Sequence, residues 1–136
     1  MSVMLASPQS FMNLSGPPVC GLIRGMDTPL DHFMVLHDEM DLPLGRVQLK
    51  FGGSAAGHHG VESVIQSFGS PDFYRLRIGV GRPDRSNARD HVLSEFSKEE
   101  RPTLTAVFDS SAPGLDDWIM GFFDRASQKL NTPPPA

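Results

Sequence analysis

The sequence predicts an α/β fold in which helices cover a mixed, mostly parallel sheet. The main observation is that strand-like segments alternate with helix-like segments along the chain. The length of 136 residues suits one domain with one core. We therefore predict a single domain over residues 1–130, followed by a proline-rich tail over residues 131–136.

The composition excludes several classes of protein. With 39% hydrophobic and 21% charged residues, the chain fits neither a disordered nor a membrane protein. Cys20 is the only cysteine, which excludes an internal disulfide and a cysteine-cluster metal site and favours a reducing compartment. The first twenty residues carry no charge, so neither a secretory signal nor an arginine-rich transit peptide is visible. We expect a cytoplasmic protein, or an organellar one if an upstream transit segment is missing.

The first half of the chain alternates between strand and helix patterns. Val3–Leu5 is predicted as a short strand and Ser7–Gly16 as a loop. A helix starts near Pro17, because proline suits a first helical turn, and runs to about Met26. Phe33–Leu36 is a continuous apolar run, which is typical of a strand covered on both faces.

The same alternation continues through the middle of the chain. Apolar and polar residues alternate over Arg46–Phe51 and again over Tyr74–Val80, which predicts two strands. Between them lies a glycine-rich loop, Gly52–Gly60. The residues that come after this loop have the spacing of one helical face: Val61, Val64, Ile65 and Phe68.

Helices are predicted for the end of the chain. Ser97 and Glu100 have the spacing of a capping box for a helix towards Ser111, with which Pro102 conflicts. A last helix is predicted from an apolar stripe, with two aspartates in its first turn and Lys129 in its last turn. The stripe consists of Leu115, Trp118, Ile119, Phe122, Phe123 and Ala126.

Two candidate sites lie in the first half of the chain. In the loop before the first helix, Asn13 either forms a turn or offers its carboxamide to a substrate. The segment His37–Pro43 follows the apolar strand, where ligands of open α/β sheets bind, and it holds three carboxylates within four positions. Those carboxylates serve a metal ion, orient a histidine base, or simply form a solvated loop. No zinc-type histidine spacing supports the metal, and we expect none.

The glycine-rich loop and the basic strands form two further candidates. Small residues let the loop backbone approach a ligand, and His58 and His59 stand at its end. The two histidines either serve a function, or one of them caps the helix. Lys50, Arg75 and Arg77 form a phosphate clamp if their strands are neighbours, or else are ordinary surface charges. The segment from Arg46 to Arg89 carries seven basic and three acidic residues in a chain of net charge −4. Such a basic middle is typical of a phosphate-binding face.

Four motifs in this order resemble the bacterial-type peptidyl-tRNA hydrolase family. They are PQSFMNLSG at 8–16, HDEMDLPLG at 37–45, the loop at 52–60 and RLRIGVGRP at 75–83. The stretch VLSEFSKEE at 92–100 is also similar to the family. The similarity extends over nearly the whole chain.

The resemblance implies a fold, a reaction and a set of residues. The fold is a phosphorylase/hydrolase-like sandwich, and the reaction is hydrolysis of the ester between a peptide and the 3′ end of tRNA, with no metal or organic cofactor. In the family, a histidine acts as general base and a carboxylate orients it; Asp38 matches that carboxylate. The resemblance also assigns catalytic or substrate-binding positions to Asn13, His58, Phe11 and His59, and tRNA phosphate contacts to Lys50 and Arg77. A monomer that binds the tRNA acceptor end, without a membrane, is expected.

The sequence departs from the family at two places. The family's opening strand and helix, with the Arg-His-Asn segment that bears the base, have no counterpart in these 136 residues. His59 stands where the family has asparagine, and Glu62 where it tends to have a basic residue.

Three hypotheses arise from these departures. The chain belongs to a hydrolase of which it is a shortened form; the only base it offers in the missing histidine's place is His58 or His59 beside Asp38. Alternatively it is a catalytically inactive relative that binds RNA, such as a splicing factor. The third hypothesis is a fragment that does not fold stably.

Overall fold

The computed structural model describes residues 3–7, 14–26, 28–55, 57–81 and 100–133. Its helices and strands confirm the α/β class. In chain order they are α1 (Gly16–Met26), β1 (Met34–Glu39), β2 (Val47–Phe51), α2 (His59–Phe68), β3 (Tyr74–Gly79), α3 (Arg101–Ile119) and α4 (Phe123–Asn131). A short 3₁₀ turn, Leu30–His32, precedes β1.

The three strands form one sheet in the order β1-β3-β2, with β3 in the middle. The β1–β3 pair is parallel, because the amide of Tyr74 donates to the carbonyl of Phe33 at 3.1 Å and the amide of Val80 donates to that of Glu39 at 3.0 Å. The carboxyl ends of β1 and β3 therefore lie at the same edge of the sheet.

The β2–β3 pair is antiparallel, which makes the sheet mixed as predicted. The amide of Gly79 donates to Arg46 at 2.8 Å at one end of the pair, and the amide of Gly52 donates to Phe73 at 3.1 Å at the other. Of the two pairings described, one is thus parallel and one antiparallel.

Contacts divide the chain into two compact units, 1–35 with 51–75 and 36–50 with 76–136. In the first unit, α1 packs against α2 over a core that includes Cys20, Val61 and Phe73. The helices approach closely at Gly16, whose amide donates to Ser63 Oγ at 2.9 Å. A Cβ at Gly16 would lie 2.1 Å from the carbonyl oxygen of Ser63. The predicted helices of this unit are confirmed.

In the second unit, α3 and α4 form a helical hairpin. The prediction of one last helix through Leu115–Ala126 is wrong, because α3 ends at Ile119 and a turn comes next. Gly121 provides that turn with φ 86°, in the left-handed region that glycine favours. After the reversal, Lys129 Nζ lies 2.7 Å from Asp117 Oδ2. Asp117 thus belongs to the end of α3 and not to a first turn.

Two strand predictions need correction. No strand is formed at Val3–Leu5. β1 does not stop at Leu36 but extends through Glu39, because its hydrogen bonds to β3 continue to that residue. Leu36 is 54% exposed among the described residues, so β1 is not covered on both faces there.

The predicted start of the tail also falls inside the fold. Asn131 ends α4, and its side-chain amide pairs with the backbone of Leu49 in β2. The amide of Leu49 donates to Asn131 Oδ1 at 2.7 Å, and Asn131 Nδ2 donates to the carbonyl of Leu49 at 3.4 Å. The capping box predicted at Ser97 lies outside the described residues; α3 begins at Arg101, with Pro102 in its first turn.

Candidate functional site

The acidic segment that was predicted to follow the apolar strand begins within β1, because the strand extends through Glu39. His37 and Asp38 are half-buried there, and Glu39 is 7% exposed. The ring of His37 is held by its own strand, since Nδ1 donates to the carbonyl of Asp38 at 2.8 Å. In open α/β sheets, the carboxyl ends of strands are where ligands bind. Asp38 therefore occupies a position that suits a functional carboxylate.

Glu39 has a structural role at this strand end. Its Oε1 accepts the amide of Asp41 at 3.1 Å, and its Oε2 lies 3.2 Å from Arg77 Nε. Arg77 also donates through Nη1 to Gln48 Oε1. The Glu39–Arg77 contact thus ties β1 to β3, and the Arg77–Gln48 contact ties β3 to β2. Of the neighbouring carboxylates Asp38 and Glu39, Glu39 is the one that carries this network.

The turn after β1 lies directly against β3 at Gly79. A Cβ at Gly79 would lie 2.1 Å from the carbonyl oxygen of Pro43 and 2.9 Å from that of Leu42. The amide of Gly81 donates to the carbonyl of Leu42 at 2.9 Å. Only a residue without a side chain lets the turn pack here, so Gly79 helps to place the end of β1.

The described residues 52–55, 57 and 58, between β2 and α2, form a loop that we call the glycine loop. It begins with Gly52 and Gly53, both at positive φ (69° and 82°). The guanidinium of Arg75 binds two carbonyls of this loop: Nη1 donates to Ser54 O at 2.6 Å, and Nη2 donates to Gly53 O at 2.8 Å. Nη2 also donates to Pro71 O at 3.0 Å, outside the loop. The backbone of the loop is therefore anchored to β3 by a side chain.

The expectation that Arg75 contributes to a phosphate clamp is wrong. Its side chain is 2% exposed, and its charge lies against backbone carbonyls and the ring of Phe73, with its Cζ atom 4.8 Å from the ring centroid. Burial away from water lowers the pKa of its guanidinium. In the sequence, strand alternation placed Arg75 on a polar face. The spacing of residues did not show that the glycine loop covers this side chain.

The two histidines at the end of the glycine loop have different environments. His58 is the N-cap of α2, and its Nδ1 accepts the amide of Val61 at 3.1 Å. Because Nδ1 is the acceptor, the neutral ring carries its proton on Nε2. His59 is 73% exposed in its side chain, with Nδ1 3.9 Å from Glu62 Oε2. The cap predicted for one of the pair is thus provided by His58.

A groove of about 620 Å³ runs between the glycine loop and the face of α2. Gly53, Ser54 and Gly57 line it on the loop side, and Glu62 and Gln66 on the helix side. Arg75 holds the Gly53 and Ser54 carbonyls, so the loop wall of this groove depends on that anchor.

The remaining predicted residues lie in separate parts of the chain. Lys50 is half-buried on β2, where strand alternation sets it on the same face as Gln48. Phe11 and Asn13 lie outside the described residues. Asp38 belongs to the second unit and His58 to the first. From the sequence we predict that Asn13, Asp38 and His58 converge in one cleft, and this stays a prediction.

The part of the chain that the structure describes contains no cluster of three or more His, Cys, Asp or Glu side chains able to hold a metal ion. Within that same part, no helix combines the length and the apolar character needed to span a membrane.

Comparison with known proteins connects these features to one family. The family model described as "Peptidyl-tRNA hydrolase" matches residues 1–136. The chain is 41% identical over 132 residues to the peptidyl-tRNA hydrolase of Kineococcus radiotolerans, covering 96% of this chain and 67% of the relative. It is 46% identical over 115 residues to that of Bacillus pumilus, covering 84% and 61%.

A solved structure shows the same relationship. The crystal structure of peptidyl-tRNA hydrolase from Acinetobacter baumannii matches with a TM-score of 0.87 at 28% sequence identity, over 95% of this chain and 66% of that one. The chain thus spans about two thirds of the length of these proteins. All three carry the name peptidyl-tRNA hydrolase.

Proposed function

The chain belongs to the peptidyl-tRNA hydrolase family, and from this we propose that its protein hydrolyses the ester that joins a peptide to the 3′ end of tRNA. The match along residues 1–136 carries the proposal. In this reaction water adds to the ester carbonyl, the bond to the ribose oxygen breaks, and that oxygen takes up a proton. The peptide leaves as a carboxylate, and the tRNA is recycled. The substrate is peptidyl-tRNA, and we expect a cytoplasmic monomer.

Asp38 is assigned the carboxylate role, which is to orient the histidine that activates water. Its location at the carboxyl end of β1 supports the assignment. The contacts of the neighbouring Glu39 support the assignment further. Its carboxylate already binds Arg77 and the Asp41 amide, which leaves Asp38 for the role of orienting the histidine.

His58 enters the reaction as a hydrogen-bond donor and not as the base. Its cap bond to Val61 uses Nδ1 as acceptor, which leaves the proton on Nε2. A ring in this tautomer can donate from Nε2 to a carbonyl oxygen. Asn13, Phe11 and His59 are proposed to contact the peptidyl-tRNA end beside it.

Lys50 and Arg77 are proposed to bind tRNA phosphate. Glu39 offsets the charge of Arg77, whose side chain is 18% exposed, so Lys50 supplies the larger share of the attraction. We expect Lys50→Ala to reduce the slope of log affinity against log salt by roughly 0.7–0.9. Arg77→Ala should reduce the slope less. Equal slopes for wild type and Lys50→Ala would show that Lys50 does not contact tRNA phosphate.

To test the function, we would express the protein from its own gene and measure how fast it releases N-acetylaminoacyl groups from tRNA. We expect cleavage, and we expect Asp38→Asn to lower kcat by roughly 10²–10⁴ because the histidine loses its orienting charge. Asp109→Asn, the same change on an exposed position of α3, is the matched control and should keep the wild-type rate.

A second arm uses the 136-residue chain by itself. If the base lies outside these residues, the 136-residue chain should cleave roughly 10²–10⁴ times more slowly than the protein that the gene expresses. An equal rate would mean that a residue within the 136 serves as the base. Salt-dependent tRNA binding by the gene product without any cleavage would contradict the hydrolase proposal and support the RNA-binding alternative.

A further inference from the structure

Arg75 is a buried cation with an unusual set of partners. Its three hydrogen bonds go to backbone carbonyl oxygens, at 2.6, 2.8 and 3.0 Å, and its side chain is 2% exposed. Burying a charge costs free energy that dipoles and a ring face offset only in part. An apolar side chain of similar length would avoid that cost, so packing alone does not explain an arginine here.

The acceptors of Arg75 show what the charge does. Ser54 and Gly53 belong to the glycine loop, and Pro71 belongs to the turn before β3. A planar guanidinium can bind all three carbonyls at once, whereas the single ammonium of lysine cannot reproduce that fork. Arg75 therefore sets the distance between the loop and β3.

Backbone hydrogen bonds also hold the glycine loop near its two ends. These bonds run from Gly52 N to Phe73 O at 3.1 Å, from His58 N to Ala55 O at 2.9 Å and from Glu62 N to His58 O at 3.0 Å. Gly53 and Ser54 are exposed to solvent on their outer side. Without the fork, water would satisfy their carbonyls and the loop would gain conformational freedom.

The loop delivers His58 to the start of α2. The ring reaches Val61 only when the chain enters the helix at the observed angle, since the cap bond of 3.1 Å depends on the backbone of residue 58. Ala55 follows Ser54 directly, and its carbonyl accepts the amide of His58 at 2.9 Å. We therefore expect a shift at Ser54 to reach His58 through this bond.

We infer that Arg75 is a positioning residue for the reaction: by binding the carbonyls of Gly53 and Ser54, it sets the path of the glycine loop and thereby the direction of the His58 ring. The inference rests on the proposed function for its effect on the reaction. Arg75 acts through the loop and does not touch substrate.

The experiment compares Arg75→Lys with wild type in the protein as its gene expresses it. Lysine keeps the charge and loses the fork. We expect kcat to fall by about 10- to 100-fold with KM for peptidyl-tRNA changed less than about twofold, since a shift of about 1 Å at a reacting group has effects of this size. Arg24→Lys, the same exchange at an exposed position of α1, should leave both constants unchanged.

Hydrogen exchange separates positioning from a merely structural role. In Arg75→Lys we expect the amide of Val61 to exchange at least about tenfold faster, while the interior amides of α1 and α2 keep their protection. A purely structural role would instead raise exchange across both helices together. If the lysine variant does not unfold cooperatively, Arg75→Met takes its place, because it removes the buried charge together with the fork.

The two measurements, kcat and hydrogen exchange at Val61, test the proposed function and the positioning role separately. Wild-type kcat and wild-type Val61 protection in both Arg75 variants would overturn the inference. If the protein itself cleaves no peptidyl-tRNA, the proposed function fails, and exchange at Val61 still decides whether Arg75 positions the loop. Rapid exchange confined to the loop and the first turn of α2 would then uphold that part.

Discussion

Arg77 Nε lies 3.2 Å from Glu39 Oε2, with the two side chains 18% and 8% exposed. The pair joins the carboxyl end of β1 to the middle strand of the sheet. It also engages two charged residues of the candidate site: Glu39 pairs with Arg77, and part of the positive charge of Arg77 is thereby compensated. Neither role is visible in the spacing of the sequence.

Glu39→Gln should lower the free energy of unfolding by about 2 kcal/mol. The substitution leaves the largely buried guanidinium of Arg77 without its counter-charge, and loss of one partner costs more than the intact pair contributes. Urea denaturation followed by the fluorescence of Trp118, the only tryptophan, measures the change.

The matched control is Glu62→Gln on the exposed surface of α2, where a shift within about 0.5 kcal/mol is expected. Equal effects of the two substitutions would show that the Arg77–Glu39 pair contributes no more than a surface ion pair. Under the proposed function, Glu39→Gln should also strengthen tRNA binding at low salt, because the charge that opposes Arg77 is gone.

The cap at His58 predicts a contrast between two substitutions. His58→Ala removes the acceptor for the Val61 amide and should cost about 1 kcal/mol of unfolding free energy. His58→Asn restores a side-chain acceptor of a preferred capping type and should stay within a few tenths of a kcal/mol of wild type. Thermal unfolding by circular dichroism distinguishes them, and equal stability of the two variants would remove the cap from the account.

Two glycines of α1 should respond to alanine in opposite directions. Gly16→Ala places a methyl group 2.1 Å from the Ser63 carbonyl and should destabilise the protein by at least about 2 kcal/mol. Gly21→Ala meets nothing within 4 Å and should stabilise it by about 0.5–1 kcal/mol through the better helix propensity of alanine. Chemical denaturation of the two variants checks the sign of each effect. A stabilising Gly16→Ala would mean that α1 and α2 do not pack as observed.

Asn131→Ala should destabilise the chain by about 1–2 kcal/mol. The substitution removes both hydrogen bonds to the backbone of Leu49, a residue that is only 5% exposed, and leaves an edge of β2 unsatisfied. Differential scanning calorimetry measures the loss. Gln128→Ala, at an exposed position of α4, should change stability by less than about 0.5 kcal/mol, and an equal loss there would show that the hydrogen bonds to Leu49 do not account for the effect.

The regular elements could be predicted because local pattern and tertiary environment agree in them. In α2, the apolar spacing predicted which side of the helix is inside, and Val61 and Val64 are buried. In β2, alternation predicted the strand and the burial of Leu49. The end of the chain could not be divided correctly, because its apolar stripe continues across the turn that Gly121 makes. Periodicity alone does not show a reversal when both helices present apolar residues to each other.

The candidate site divides in the same way. The motifs named the family and the residue types that its chemistry needs, since a carboxylate, an imidazole and an amide are recognisable one by one. The sequence could not show which of the two carboxylates, Asp38 or Glu39, makes the structural contact, because the two residues are adjacent and chemically alike. That choice depends on Arg77, which is 38 residues from Glu39 in the chain and reaches it across a parallel pair of strands.

By itself, the sequence determined the α/β class, the position of the glycine loop and membership in the family, because these depend on residue types and short-range spacing. Tertiary structure alone decided that Arg75 is an internal anchor, that Arg77 is paired and that His58 caps α2 through Nδ1. Each of these depends on which backbone or side-chain atoms lie within hydrogen-bonding distance, and residues distant in the chain determine the surroundings of both arginines.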